Sequence, residues 1–293
     1  MARLKANGIE IEYETTGDAK AAPMLMIMGL GAQLKSWDDG FCRDLADRGF
    51  YVIRYDNRDA GLSTKMEAAG RADLAAAYTG HPNPAYTLDD LADDAVGVLD
   101  ALGIRAAHIV GASMGGFIAQ LVAINHPDRV LSLTSIMSGP GGEDAVLPTP
   151  EASVVLTQKP GTTRDERIAL AVLARRVLVG EGNPFDVEKE TRRAELLYER
   201  SYYPLGFGRQ LVAILAARSR LPALAGVKVP TLVVHGIDDP LVPIENGRRV
   251  AAAVPGARLM ELEGTGHNLP ERHWPALADA IAETARQAST IGS

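Results

Sequence analysis

The chain has 293 residues, of which 46% are hydrophobic and 23% charged, a composition typical of a globular protein with one large core. Its formal net charge of −7 argues against nucleic acid or an anionic membrane as a partner, because phosphate binding needs a concentrated excess of lysine and arginine. The single cysteine, Cys42, excludes an intrachain disulfide. No signal-like segment or bilayer-length apolar run is present, so we expect a cytoplasmic protein.

The first third of the chain alternates predicted strands and helices. Asn7-Gly8, a dipeptide suited to a two-residue turn, separates two alternating segments and predicts an opening β-hairpin. Continuous apolar runs at 24–28 and 51–55 predict strands buried on both faces of a sheet, with a helix over 37–48 between them. An apolar stripe over 87–101, with capping residues at its start, predicts a helix packed on that sheet.

The rest of the chain repeats this alternation around one interruption. Four further apolar runs predict strands at 107–111, 130–137, 229–235 and 257–262. Apolar stripes at helical spacing predict helices at 114–125, 244–253 and 274–285. Between them lies a proline-containing stretch whose predicted segments are helices at 164–179, 187–201 and 208–218. The pattern predicts an α/β core of residues 1–138 and 222–293, with a mostly parallel sheet of about eight strands and helices on both faces. Residues 139–221 are predicted to be an inserted helical cap.

A Gly-x-Ser-x-Gly pentapeptide, Gly111-Ala112-Ser113-Met114-Gly115, stands between a predicted strand and a predicted helix. A serine on such a tight turn takes a strained backbone conformation, and the chain passes so close that side chains two residues away would clash. Glycine at both of those positions removes the clash. The motif therefore indicates Ser113 as a nucleophile and directs the Met114 N–H toward the place where an oxyanion would form.

Two later loops carry the acid and base that a serine nucleophile needs. Asp238 and Asp239 follow one late strand, and His267 follows the next. Because ligands of open parallel sheets lie beyond the carboxyl ends of the strands, both loops are expected at the same edge as Ser113. The order serine, aspartate, histidine is that of the α/β-hydrolase triad, although the residues alone leave the choice between the two aspartates open. His235, at a strand end, is predicted to have a structural role.

With these motifs the chain resembles α/β-hydrolase fold enzymes over nearly its whole length. In detail it is similar to small serine esterases near aclacinomycin methylesterase and, more distantly, to cofactor-free haloperoxidases and enol-lactone hydrolases. The resemblance implies Ser113 as nucleophile and His267 as base. It implies Asp239 as the acid, because the family spacing His-Gly-x-x-Asp reaches the second aspartate.

The resemblance also concerns two loops beside the expected site. It implies an oxyanion hole made by the backbone N–H groups of Leu30 and Met114, where Met28-Gly29 stands in place of the family's common His-Gly. Because the donors are backbone groups, the missing histidine need not remove the hole. The loop 56–63 matches a family segment in which Arg58 is usually structural.

These observations predict a serine carboxylic ester hydrolase that forms an acyl-enzyme with small to medium, largely apolar esters and requires no metal or organic cofactor. Alternatives with the same triad are lactone opening, methyl-ester cleavage, C–C bond hydrolysis and perhydrolysis. A receptor-like binding module on this fold is a further alternative. Dehalogenase and epoxide hydrolase are disfavoured, because their nucleophile is a carboxylate where this chain has Ser113.

Aromatic residues of the predicted cap are candidates for substrate binding. Tyr198, Tyr202 and Phe207 could line an apolar pocket above the nucleophile, or they could form the core between the cap and the sheet domain. The sequence gives no indication of the oligomeric state.

Overall fold

A single eight-stranded sheet organises the computed structural model, which describes residues 2–180 and 182–291. Its strands are β1 (Ala2–Ala6), β2 (Ile9–Thr16), β3 (Ala22–Ile27), β4 (Phe50–Tyr55), β5 (Ala107–Ala112), β6 (Val130–Ile136), β7 (Thr231–Gly236) and β8 (Arg258–Leu262). They are ordered β1-β2-β4-β3-β5-β6-β7-β8. Pairing is antiparallel for β1 with β2 and for β2 with β4, and parallel elsewhere. The prediction of a mostly parallel sheet of about eight strands is confirmed.

Helices fill the connections between the strands. They are α1 (Asp39–Asp47), α2 (Leu74–Tyr78), α3 (Leu88–Ala101), α4 (Met114–Asn125), α5 (Pro150–Thr157), α6 (Arg164–Val179), α7 (Val187–Arg200), α8 (Pro204–Ala216), α9 (Leu221–Leu224), α10 (Ile244–Ala253) and α11 (Trp274–Ile291). The bounds predicted for α4, α6 and α10 are confirmed. The predicted start of α8 was wrong, because Pro204 occupies the first helical position, where its missing N–H has no intrahelical partner to lose. The short helices α2, α5 and α9 were not predicted.

The sheet has an apolar layer on each face. Alternate residues of β3 belong to different clusters: Leu25 and Ile27 pack with α3 and α4, whereas Met24 and Met26 pack with α1 and α11. This division follows from the strand itself, since successive side chains point to opposite faces. The helices therefore cover both faces, as predicted, and leave the carboxyl ends of the parallel strands to the loops.

Residues 139–221 connect the neighbouring strands β6 and β7, and their described part contains helices and no strand. The two ends of this insertion lie side by side. The backbone N–H of Arg220 donates to the Pro140 carbonyl over 3.0 Å, and its Nη2 donates to the Gly139 carbonyl over 3.1 Å. The insertion therefore leaves the pairing of β6 with β7 intact. Among the described residues, no helix has the length and apolar character needed to cross a membrane.

Candidate active site

Ser113 lies on a sharp turn between β5 and α4. Its φ of 57° and ψ of −124° are unusual for a residue with a side chain, and such strain persists where the surrounding structure holds it. A Cβ on Gly111 would lie 2.0 Å from the Gly115 carbonyl oxygen, and one on Gly115 would lie 2.1 Å from that of Ile27. Both glycines of the motif are therefore required by close backbone contacts, as predicted.

The structure brings the three predicted side chains into one chain of hydrogen bonds. Ser113 Oγ lies 2.9 Å from Nε2 of His267, and Nδ1 of His267 lies 2.7 Å from Oδ2 of Asp239. The aspartate and the histidine are buried, whereas the neighbouring Asp238 is exposed. The geometry therefore favours Asp239 over Asp238 as the partner of the histidine.

The turn after β7 fixes the orientation of the Asp239 carboxylate. Its Oδ1 accepts hydrogen bonds from the backbone N–H groups of Leu241, over 2.9 Å, and Val242, over 2.8 Å. This leaves Oδ2 to face His267.

His235 supports the same turn from below. Its Nε2 lies 2.7 Å from the Val242 carbonyl oxygen, which requires the ring proton on Nε2, and 3.6 Å from Asp239 Oδ2. Burial lowers the pKa of this histidine and so favours its neutral form. These contacts agree with the structural role predicted for His235.

The inserted helices reach the loop that carries the histidine. The backbone N–H of His267 donates to the carbonyl of Leu178, near the end of α6, over 2.7 Å. A Cβ on Gly266 would lie 2.4 Å from the Val179 carbonyl oxygen, so the loop and the helix end are in tight contact. The insertion therefore packs directly on the proposed base loop.

The loop after β3 passes beside the nucleophile. A Cβ on Gly29 would lie 3.3 Å from Ser113 Oγ, which places the Gly29–Leu30 peptide next to the serine. On the other side, Met114 is the first residue of α4, where a backbone N–H has no intrahelical acceptor. Leu30 and Met114 thus lie on backbone segments that border Ser113. Asn57 steadies the loop by donating to the Met28 carbonyl over 2.9 Å.

The loop after β4 has structural bonds, in agreement with the resemblance. Arg58 pairs with the buried carboxylate of Asp94 on α3 through Nε and Nη2, each 2.6 Å from an oxygen. Asp59 pairs with Arg209 of α8 over 2.7 Å, and both side chains are almost fully buried. The loop after β4 is therefore bonded to α3 through Arg58 and to the insertion through Asp59.

The three candidate substrate-binding residues differ in their surroundings. The Tyr198 and Tyr202 rings lie 5.1 Å apart, and Arg167 of α6 contacts both. Phe207 instead packs on the loop after β3, where its Cδ2 would lie 2.7 Å from a Cβ on Gly31. Phe207 is therefore near the proposed oxyanion segment, whereas the two tyrosines contact each other and Arg167 within the insertion. Their role in substrate binding stays a prediction.

The insertion also contains a groove of about 820 Å³ between α6 and α7. Apolar side chains, including Ile168, Val172 and Phe185, form much of its wall, with Arg164 and Arg176 among its polar residues. Ser113, His267 and Asp239 do not line this groove. The groove is therefore separate from the candidate active site.

Residues 22–273 match the family model described as alpha/beta hydrolase fold. The chain belongs to this family. Among solved structures, this hydrolase is similar to the meta-cleavage product hydrolase from Pseudomonas fluorescens, with a TM-score of 0.77, 20% identity and 98% of each chain covered. It is also similar to the enol-lactonase from Burkholderia xenovorans, with a TM-score of 0.72, 25% identity, and 99% of this chain and 100% of that chain covered.

Curated relatives of this hydrolase are esterases and other hydrolases. It is 37% identical to rhodomycin D methylesterase DauP of Streptomyces sp. (strain C5) and to DnrP of Streptomyces peucetius, over 94% of this chain and 95% of each relative. It is 29% identical to the 2-hydroxy-6-oxononadienedioate/2-hydroxy-6-oxononatrienedioate hydrolase of Paraburkholderia phymatum, over 88% of this chain and 85% of the relative. The resemblance drawn from the sequence motifs is confirmed at the level of the family.

Sequence reasoning missed the side chains by which the insertion holds the loop after β3. Gln210 of α8 accepts a hydrogen bond from the Gly31 N–H over 2.7 Å. Gln33 donates to the carbonyls of Leu197 and Ser201 over 2.6 and 2.9 Å. Neither glutamine lies in a recognisable motif, and their partners are far away in the sequence, so no local signal indicates them.

Proposed function

We propose that this hydrolase is a serine carboxylic ester hydrolase that acts through an acyl-enzyme on small to medium, largely apolar esters. The observation that carries the proposal is the relay from Asp239 through His267 to Ser113, with distances of 2.7 and 2.9 Å. A buried carboxylate, an imidazole and a strained serine in this order form a general-base-activated nucleophile.

In the proposed reaction His267 Nε2 takes the proton of Ser113 Oγ as that oxygen attacks the ester carbonyl carbon. Asp239 holds the ring with its proton on Nδ1 and stabilises the imidazolium. The backbone N–H groups of Leu30 and Met114 receive the oxyanion of the tetrahedral intermediate. The imidazolium then protonates the departing alcohol, which leaves an ester between the acyl group and Ser113.

Water completes the cycle at the same groups. His267 takes a proton from the water as it attacks the acyl-enzyme, and a second tetrahedral intermediate forms. This intermediate breaks down to the carboxylic acid, while His267 returns the proton to Ser113 Oγ. Neither half-reaction requires a metal or an organic cofactor.

In this proposal residues 139–221 form a cap over a core of residues 1–138 and 222–293. Contacts of the insertion with the loop after β3 and with the loop of His267 support it. Tyr198, Tyr202 and Phe207 remain candidates to line the substrate side of the cap. A small-molecule ester as partner and a cytoplasmic location, both expected from the sequence, belong to the same proposal.

A methyl ester is the favoured physiological substrate class within this proposal. The observation behind it is the 37% identity to two proteins named rhodomycin D methylesterases over nearly the full chain. Lactone opening, C–C bond hydrolysis and perhydrolysis use the same triad, so a substrate panel separates them. A binding module without turnover is the remaining alternative.

Labelling with a fluorophosphonate tests the nucleophile, alongside hydrolysis of p-nitrophenyl esters of increasing acyl length and release of methanol from methyl esters. We expect wild-type protein to label and turn over, and Ser113→Ala to do neither. Ser138→Ala is the matched control, because Ser138 is also buried at a strand end but its Oγ has no hydrogen-bond partner among the described residues. Folded wild-type protein that neither labels nor hydrolyses any ester would overturn the proposal.

A further inference from the structure

A buried glutamine of the insertion bonds the loop that runs beside Ser113. We use "oxyanion loop" for residues 29–33. The Gln210 side chain is fully buried, and its Oε1 accepts the Gly31 N–H over 2.7 Å. Its Nε2 donates to the Arg58 carbonyl over 2.8 Å. The amide oxygen and the amide nitrogen of Gln210 are therefore both hydrogen-bonded, which fixes the orientation of the side chain. The bond to the Gly31 N–H in turn fixes the peptide between Leu30 and Gly31.

The other end of the oxyanion loop is held by α7. Gln33 Nε2 donates to the carbonyls of Leu197 and Ser201, at the end of that helix. Gln33 Oε1 accepts a hydrogen bond from Arg200 Nη1 over 2.7 Å, and the same nitrogen lies 2.8 Å from Asp56 Oδ2. A carbonyl oxygen can accept two hydrogen bonds, and that of Leu197 also accepts the Ser201 N–H over 3.1 Å, so Gln33 uses acceptor capacity that remains at the end of α7.

Steric contact adds to these bonds. Gly31 has a φ of +64°, and Phe207, three residues before Gln210 on α8, fills the space where a side chain at Gly31 would stand. The loop is thus enclosed between α8 and the strand ends. Its remaining freedom is small as long as α7 and α8 stay in place.

We propose that Gln210 is a positioning residue that aligns the Leu30 N–H with the oxyanion formed at Ser113. Leu30 lies between Gly29, which touches the serine, and Gly31, which is bonded to Gln210. The inserted helices thereby help to assemble the oxyanion hole as well as to cover it. This inference rests on the proposed ester hydrolase function, since it concerns the donor used in both of its half-reactions.

The expected loss of kcat follows from the contribution of oxyanion donors to catalysis. Removing one oxyanion donor lowers kcat by about 10²- to 10³-fold, and a donor displaced by a fraction of an ångström loses part of that. We therefore expect Gln210→Met, which keeps the side-chain length and removes both hydrogen bonds, to lower kcat about 10- to 100-fold. KM should change less than about threefold, because the donor acts mainly in the transition state.

Gln120→Met is the matched control. Gln120 is also fully buried with both ends bonded, its Nε2 donating to Ser135 Oγ over 3.1 Å and its Oε1 accepting from Arg220 Nε over 2.9 Å. It does not bond the oxyanion loop. We expect a similar loss of thermal stability in both variants but a selective loss of kcat in Gln210→Met.

The experiment measures kcat and KM for a p-nitrophenyl ester, and the inhibition constant of a trifluoromethyl ketone. This ketone forms a reversible hemiketal with Ser113 that puts an oxyanion in the hole. We expect its inhibition constant to rise in Gln210→Met by the same factor as kcat/KM falls. A loss of kcat no larger than in Gln120→Met, an effect on KM alone, or an unchanged inhibition constant would overturn the inference.

Failure of the proposed function is recognised separately, because it is the wild-type protein that then shows no turnover. If Gln210→Met does not fold, Gln33→Met releases the other attachment of the same loop. We expect Gln33→Met to lower kcat and to weaken binding of the trifluoromethyl ketone. Unchanged kcat in that variant would overturn the inference.

Discussion

Replacing Asp239 by asparagine tests the relay with a change of one atom. The amide oxygen can accept the N–H groups of Leu241 and Val242 in place of Oδ1, and the amide nitrogen then faces His267 Nδ1 at the position of Oδ2. An N–H donor at 2.7 Å requires Nδ1 to accept, which moves the ring proton to Nε2. In that tautomer His267 cannot take the proton of Ser113.

This tautomer determines the expected loss of kcat. In serine enzymes with this geometry the same substitution lowers kcat by about 10⁴-fold, which corresponds to about 5 kcal/mol of activation free energy. The fold should survive, because the two backbone bonds that shape the turn after β7 are retained by the amide oxygen.

Steady-state hydrolysis of a p-nitrophenyl ester measures the effect, with circular dichroism to confirm the fold. Asp238→Asn is the matched control: it makes the same chemical change one residue earlier, on an exposed side chain. We expect the control to stay within about twofold of wild-type kcat, as surface substitutions usually have small effects. Activity of Asp239→Asn within tenfold of wild type, or a larger loss in Asp238→Asn, would refute the reasoning.

Three further predictions concern stability. Burial lowers the pKa of His108 to about 4, so this residue alone should reduce the free energy of unfolding by about 2 kcal/mol between pH 8 and pH 5, and urea unfolding of His108→Asn should lack that part of the loss. Gly115→Ala should cost about 3 kcal/mol in the same assay, whereas Gly208→Ala, whose Cβ would have its nearest neighbour at 3.9 Å, should be neutral or stabilising. Asp94→Ala should cost about 3–5 kcal/mol, because it leaves its buried arginine partner unpaired, while Asp93→Ala on the exposed side of the same helix should cost little. A pH dependence of stability in His108→Asn equal to that of wild type would contradict the first prediction. Equal stability of the two glycine variants, or of the two aspartate variants, would contradict the second or the third.

Much of the fold could be predicted from the sequence because its signals are local. The capping boxes that begin α3 and α6 are visible as Thr87 with Asp90 and Thr163 with Glu166, and both are present in the structure. Likewise, buried parallel strands are visible as continuous apolar runs. The glycines around Ser113 indicate, within five residues, a turn too tight for side chains at those positions. The order of the loops after the strands then brings the three proposed catalytic side chains to one edge.

The attachment of the insertion could not be predicted, because it depends on contacts between distant segments. The Gln210 to Gly31 bond joins residues 179 positions apart. A glutamine in a helix has no property that distinguishes a solvent-facing side chain from one that holds a loop. The choice between Asp238 and Asp239 has a similar cause, since it is decided by the backbone N–H groups of the following turn rather than by the carboxylates.

The adjacency of Pro140 and Arg220 has a consequence for engineering. Because the insertion leaves and re-enters the core at one point, the helices of another family member can be grafted there without altering the order of the strands. Such a chimera must also supply acceptors and donors for Gly31 and Gln33. We expect grafts chosen only for the shape of their substrate pocket to bind the new ester and hydrolyse it slowly.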